Sequence, residues 1–100
     1  MGQIIRLELD VLKPHQPSIV EVSRRLSDLR GISGVTCVVE EVDQETESVR
    51  ITIEGEDIDF DIIQATIDEI GGAIHSVDLV SAGTRVVKTR KEYEPDVDDD

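Results

Sequence analysis

Aromatic residues are nearly absent from this chain, since Phe60 and Tyr93 are the only two among 100 residues. Binding of nucleic-acid bases or sugar rings by stacking needs aromatic platforms, so the composition disfavours both functions. Basic residues are also scarce: 10 Lys and Arg stand against 23 Asp and Glu, for a formal charge of −13. Nucleic acids and anionic membranes are therefore unfavourable partners, whereas divalent cations, basic partners or the salt-rich cytoplasm of a halophile suit such a surface.

Cys37 is the only cysteine, which excludes an intramolecular disulfide and a thiolate metal cluster. It alternates in step with Val35 and Val39, which favours a small buried hydrophobe over a reactive thiol. Long hydrophobic runs are lacking too, because no stretch approaches the roughly 20 apolar residues of a membrane span. Met1 and Gly2 lead directly into a predicted strand rather than a signal peptide, so we expect a cytoplasmic protein.

The stretch Ile4 to Leu12 has two faces that differ in kind. One face carries only aliphatic side chains: Ile5, Leu7, Leu9 and Val11. The other face carries mainly charged side chains: Arg6, Glu8 and Asp10, with Ile4 and Leu12 at its two ends. Strict alternation is typical of a half-buried strand, with helices on the apolar face and solvent or another subunit on the charged one.

The remaining elements follow from periodicity and turn signals. A helix is predicted from Ser18, which with Glu21 forms a capping box, to Arg30 and Gly31. A second helix begins at the N-cap Asp59 and ends at Gly71-Gly72. Three further strands are predicted by alternation, over Val35 to Val42, Val49 to Glu54 and Ala73 to Val80, with Asp43 to Ser48 as a hairpin loop between the first two.

The element order β-α-β-β-α-β predicts an α+β fold, the ferredoxin-like plait, with both helices on one face of an antiparallel sheet. Thr84 to Arg90 is predicted to add a short basic strand. We expect one domain over residues 1–91 and a disordered acidic tail over 92–100, where six of nine residues are acids. The first and third strands are central in this fold, so their charged side chains share the open face of the sheet. We predict that this charged set is a subunit or ligand interface. It consists of Arg6, Glu8, Asp10, Arg50 and Glu54, with Asp78 beside them.

Four segments together resemble the archaeal domain-of-unknown-function family 211, DUF211, over roughly residues 3 to 87. They are LDVLKPH (Leu9 to His15), the turn from Glu41 to Glu47, the helix start Asp59-Phe60, and GGAIHSVD (Gly71 to Asp78). The resemblance implies a ferredoxin-like fold, an archaeal source and self-assembly. It offers no catalytic residue to carry over.

Two groups of residues are candidate ligand sites. His15, His75 and Asp78 would form an acid-base or ligand cluster if the end of the first strand meets the start of the fourth. Asp43, Glu45 and Glu47 fall at positions 1, 3 and 5 of a calcium loop, but Ser48 replaces the required glycine. A looser Ca²⁺ or Mg²⁺ site shared between subunits is the alternative, because hard cations need only several oxygen ligands.

Three functional hypotheses remain open. The leading one is a self-assembling, non-enzymatic module that binds a divalent cation or small ligand at subunit contacts. The second is a small enzyme that uses His15, His75 and Asp78. The third is an adaptor whose acidic tail docks a basic partner. RNA-binding, metallochaperone and acylphosphatase functions of this fold are disfavoured, since the aromatics, paired cysteines and phosphate-binding arginine that they need are missing.

Overall fold

Six elements follow one another along residues 2–89, the part of the chain that the computed structural model describes. Their order is the predicted one: β1 Ile4–Pro14, α1 Ile19–Ser27, β2 Ile32–Val42, β3 Thr46–Gly55, α2 Phe60–Glu69 and β4 Ala73–Ala82. No helix in this region is long and apolar enough to cross a membrane. The predicted acidic tail, residues 92–100, lies outside the described residues.

The four strands form one antiparallel sheet in the order β2-β3-β1-β4. β1 is therefore central and hydrogen-bonds to β3 on one side and β4 on the other, with Leu9 opposite Ile51 and Val77. This is the ferredoxin-like plait that the element order predicts. β2 and β4 are the two edge strands, and residues 2–89 contain no strand that covers the outer side of either.

The core lies between one face of the sheet and the two helices. β1 contributes Leu7, Leu9 and Val11, none more than 1 % exposed. Helix residues close this layer from above, with each helix burying one stripe of its surface. The buried partners from the other elements are Val22, Leu26, Val49, Ile51, Ile53, Ile58, Ile63, Ile67 and Ile70. Leu7, Leu9 and Val11 therefore face the helices, as predicted, whereas Ile4, which the alternation placed on the charged face, packs against this core.

The two helix starts differ in their capping. Asp59 caps α2 through its side chain, which accepts hydrogen bonds from the backbone N–H groups of Asp61 and Ile62. Ser18 occupies the N-cap of α1 without a side-chain hydrogen bond, so the predicted capping box with Glu21 is wrong. Its backbone carbonyl accepts from Val22 instead. The serine thus marks the helix boundary but leaves the first amides without a side-chain cap.

Element ends account for the other differences. Helix α1 stops at Ser27, and the chain turns through Gly31, whose φ of 85° places it in the left-handed region. The predicted C-terminal strand is not formed in residues 84–89, and Arg90 lies beyond the described residues. Alternation alone predicts that a segment suits a strand, but a strand also needs a neighbour to bond to.

The two faces of β1 should differ in their tolerance to truncation. We expect Leu9→Ala to lower the free energy of unfolding by about 2–5 kcal/mol, because Leu9 is fully buried. Leu12→Ala is the matched control on the opposite face, where the side chain is 44 % exposed, and it should cost less than about 1 kcal/mol. Urea denaturation followed by circular dichroism measures both. Equal losses would contradict a sheet covered on one face only.

Candidate functional site

Lys13, His15 and Glu47 form a cluster, here called the hairpin clasp, where the end of β1 meets the start of β3. Lys13 pairs directly with Glu47 in the antiparallel register, so their side chains share a face. That face is the helix-covered one, because Lys13 continues the alternation of buried residues in β1. The Lys13 side chain is fully buried, and that of Glu47 is 12 % exposed.

The ammonium of Lys13 is the most buried charge in residues 2–89. Its Nζ donates to Glu47 Oε2 at 2.8 Å and to the carbonyl oxygen of Pro14 at 2.8 Å, with the His15 carbonyl oxygen at 3.5 Å. Burying an ammonium costs several kcal/mol unless it is paired and hydrogen-bonded. These acceptors offset that cost, and they tie the end of β1 to β3.

His15 binds the hairpin through both ring nitrogens. Nδ1 lies 3.2 Å from Glu47 Oε1, while Nε2 lies 2.9 Å from the Asp43 carbonyl oxygen and 3.1 Å from that of Gln44. All three partners are acceptors, so only the doubly protonated ring donates on both sides. The hydrogen bond to Glu47, followed by those to the hairpin carbonyls, raises the pKa of His15 above 6.5.

Glu47 serves both cations with one carboxylate. Oε2 accepts from Lys13 and Oε1 faces His15. The hydrogen bond from Lys13 is the main cause of its lowered pKa, and His15 contributes further. The clasp therefore holds the β2–β3 hairpin tip against the end of β1 by charge-assisted hydrogen bonds. Its polar atoms contact each other and the backbone, which is what a structural cluster requires.

The three residues of the predicted acid-base cluster have different partners. His15 contacts the hairpin on the β3 side of β1, whereas exposed His75 lies on β4, along the other side of β1. Asp78 accepts from Arg50 at 3.2 Å and from Ser76 at 2.8 Å. None of the hydrogen bonds and ion pairs described for residues 2–89 joins these three side chains. They also line neither of the two concavities, of about 400 and 380 Å³.

The hairpin carboxylates do not form a metal site within one chain. Across residues 2–89, no group of three His, Cys, Asp or Glu side chains has an arrangement that could hold a metal ion. Glu47 already serves Lys13 and His15, while Asp43 and Glu45 are exposed. A cation site that two subunits share through the hairpin carboxylates Asp43, Glu45 and Glu47 stays a prediction.

The open face of the sheet carries the predicted charged set. Arg6 lies opposite Glu54, and Asp10 opposite Arg50, in the β1–β3 register. Arg6 contacts Glu8 at 3.1 Å and Glu54 at 3.6 Å. Opposite charges on adjacent strands thus pair with one another, which makes an ion-pair network of modest energy rather than a charged pocket.

Arg50 connects three strands across the open face. Its Nε donates to Glu40 on β2 at 3.1 Å, and its Nη1 donates to Asp78 on β4 at 3.2 Å, so the side chain reaches across β1. Hydrogen bonds and charge from Glu40, then from Asp78, raise the pKa of the Arg50 guanidinium. Its side chain is 37 % exposed, so solvent weakens each contact.

Two comparisons with known proteins identify the family. The model of the DUF211 family, described as "Uncharacterized ArCR", matches residues 5–96. The chain belongs to this family. It is also 48 % identical over 88 residues to an uncharacterised protein of the archaeon Methanocaldococcus jannaschii, an alignment that covers 88 % of this chain and 91 % of the relative. The resemblance inferred from the four sequence segments is therefore confirmed.

Lys13 is the residue of this DUF211 chain whose role the sequence analysis missed. The signal was present, because Lys13 follows Leu7, Leu9 and Val11 at spacings of two. The predicted strand ends at Leu12, but β1 continues to Pro14, which pairs with Thr46. An extension of the alternation by one step would have placed a lysine on the buried face, where it needs a carboxylate partner.

The buried Lys13–Glu47 ion pair should contribute more to the free energy of unfolding than an exposed ion pair does. Glu47→Gln leaves the buried ammonium without its counter-charge, and we expect a loss of about 3 kcal/mol in the free energy of unfolding. Glu69→Gln is the matched control, because Glu69 pairs with Arg25 at 3.0 Å but is 66 % exposed. It should cost no more than about 1 kcal/mol. Similar losses in urea denaturation would show that burial of Lys13 does not set the energy of the pair.

The hairpin clasp should make stability depend on pH above 6.5. A raised folded-state pKa means that His15 contributes fully below 6.5, and that its contribution is lost as pH rises through the raised value. We expect the wild type to lose more stability than His15→Gln between about pH 6 and pH 9. His75→Gln is the control and should keep the wild-type decline, since it retains His15. Parallel profiles for wild type and His15→Gln would count against an imidazolium at this position.

Proposed function

We propose that this DUF211 protein is a self-assembling, non-enzymatic module whose subunits associate through the outer edge of β2. The single observation that carries the proposal is the state of that edge. β2 spans 11 residues, and its outer side has no partner strand within residues 2–89. A long, regular edge strand presents unpaired N–H and C=O groups, which makes it a template for another chain.

The middle of β2 lacks the features that normally block edge pairing. Residues 34–39, GVTCVV, contain no charge and no proline, and they pair with β3 without a register shift. Shifts occur only at the two ends, next to Ser33 and Glu40. The other edge differs, because β4 pairs with β1 through three register shifts and carries His75 and Asp78. Irregular, polar edges resist pairing, so β2 is the better template.

The candidate acid-base residues support a module rather than an enzyme. His15 has both nitrogens bonded within the hairpin clasp, and Asp78 serves Arg50 and Ser76. Neither side chain lines either of the two concavities described above. General acid-base chemistry needs a titratable group within hydrogen-bond reach of a bound substrate. The hydrogen bonds of His15 and Asp78 are instead made to other residues of the fold.

Light scattering after size exclusion tests the proposal on the full chain. We expect the wild type to elute as an oligomer at high salt and Val38→Lys to shift towards the monomer, because a lysine in an edge strand blocks pairing. Val80→Lys is the matched control on β4, with 54 % exposure against 50 % for Val38, and it should leave assembly unchanged. A strictly monomeric wild type would reject the proposal. An unchanged Val38→Lys oligomer would reject the β2 edge.

A further inference from the structure

The outer flank of β2 is apolar but only half covered. Val35, Cys37 and Val39 lie on its helix-covered face, opposite buried residues of β3, and all three pack against the core. Each of them nevertheless stays partly exposed, and residues 2–89 place no strand beyond them. An added strand with apolar residues at matching positions would bury this flank.

We propose that the added strand is β2 of a second copy, which pairs antiparallel about a two-fold axis so that the Cys37 residues of the two chains lie opposite each other. This inference rests on the proposed self-assembly, and it names the partner of the β2 edge and the register of pairing. A two-fold contact of this kind forms a closed dimer. It joins two four-stranded sheets into one sheet of eight strands, with all four helices on one face, and open sheets of that width occur.

The apolar residues of β2 favour this register. Directly opposed residues of antiparallel strands share a face of the sheet, so the helix-covered residues of one copy meet those of the other. With Cys37 at the axis, Val35 of each chain lies opposite Val39 of the second copy. Every cross-strand pair on the helix-covered face between positions 35 and 39 is then apolar, and such pairs stabilise a sheet.

The neighbouring registers match less well. An axis at Thr36 places Ser33 opposite Val39 of the second copy, and an axis at Val38 places Glu41 opposite a valine. Either register replaces two valine pairs by contacts between a valine and a polar side chain, which loses apolar burial. The proposed register is therefore the one that buries the apolar flank of β2 most completely.

Charge favours the same register. With Cys37 at the axis, Glu40 lies opposite Gly34 of the second copy, and the two Glu40 residues are six positions apart along the joined edge, roughly 20 Å. That separation exceeds the screening length of about 8 Å at physiological ionic strength. Parallel pairing in register would instead place Glu40 and Glu41 of each chain beside their own copies, where like charges are destabilising.

Gly34 leaves room for the long side chain that lies opposite it. No atom stands within 4 Å of the position that a Cβ would take at Gly34, and this residue lines the concavity of about 380 Å³. Ser33 and Thr36 also line it, and neither hydroxyl makes a hydrogen bond to another side chain or backbone group of residues 2–89. In the proposed register these hydroxyls lie beside Glu40 of the second copy, whose Oε1 can accept from them while its Oε2 accepts from Arg50.

Oxidation of the native cysteine tests the register in the unmodified full chain. Opposed residues of antiparallel strands have Cα atoms about 4.5–5.5 Å apart, within the range that disulfides span. After mild oxidation we expect a covalent dimer on a non-reducing gel, with peptide mapping that joins Cys37 to Cys37 of a second chain. The matched control is V39C in a Cys37→Ser background, on the same face of β2. It should remain uncoupled, because the two copies of position 39 lie roughly 13 Å apart along the edge.

Two more single-cysteine chains separate this register from its neighbours. T36C and V38C are each made in the Cys37→Ser background, and dominant coupling of either chain with itself would place the axis elsewhere and overturn the inference. If the wild type assembles but Cys37 does not couple, the inference fails while the proposed function stands. A monomeric wild type removes both.

An introduced charge pair provides an independent readout. Thr36 lies opposite Val38 of the second copy in the proposed register, so Thr36→Glu added to Val38→Lys places a carboxylate opposite each new ammonium. We expect this double variant to have a dissociation constant at least about fivefold lower than that of Val38→Lys with Gln64→Glu. The second variant has the same net charge but carries its carboxylate at an exposed position of α2.

The neighbouring registers predict a different result for this pair of variants. An axis at Thr36 would oppose two introduced glutamates, and an axis at Val38 would oppose two introduced lysines, so neither register gains from the added carboxylate. Equal dissociation constants for the two double variants would overturn the inference.

Discussion

The fold depends on β1, which must hydrogen-bond to a strand on each side and must place its alternate side chains in two different environments. As a central strand it hydrogen-bonds to β3 and β4, while its alternate side chains enter either the helix-covered core or the open face. A shift of one residue would exchange these two sets and bury three charges, so the register is strongly specified. The hydrophobic energy of Leu7, Leu9 and Val11 and the ion pairs of Arg6 thus select the same arrangement.

The hairpin clasp extends this constraint beyond the apolar part of β1. At Lys13 the alternation continues onto the buried face, but the side chain brings a charge with it. That charge requires Glu47, and the second oxygen of Glu47 in turn orients His15 towards the hairpin carbonyls. One buried cation therefore fixes the geometry of a loop that would otherwise be held only by its two strands. The result is a polar cluster whose chemistry stabilises the fold, although its histidine had suggested catalysis.

The strand alternation and the helix stripes were sufficient to predict the element order, the central place of β1, and which face of the sheet is apolar and which is charged. These three features depend on local periodicity, which can be read directly from the sequence. Contacts between distant residues were harder to predict. Periodicity assigns Glu47 to one face of its strand but does not predict whether its carboxylate binds water, a metal cation or Lys13. It also cannot exclude a contact between His15 and His75.

Net charge and edge geometry together favour one mode of association. Copies that each carry a formal charge of −13 repel one another, and salt screens this repulsion over about 8 Å at physiological ionic strength. Contact through the acidic hairpin or the tail sequence would bring like charges together. Residues 34–39 in the middle of β2 are uncharged, and on the open face beside them Arg50 pairs with Glu40. The proposed association through this edge would therefore cost less electrostatic energy than contact through the acidic hairpin, and it would add backbone hydrogen bonds. An acidic chain that assembled in the proposed way would still need salt to screen the remaining charge, so the proposed oligomer should depend on ionic strength.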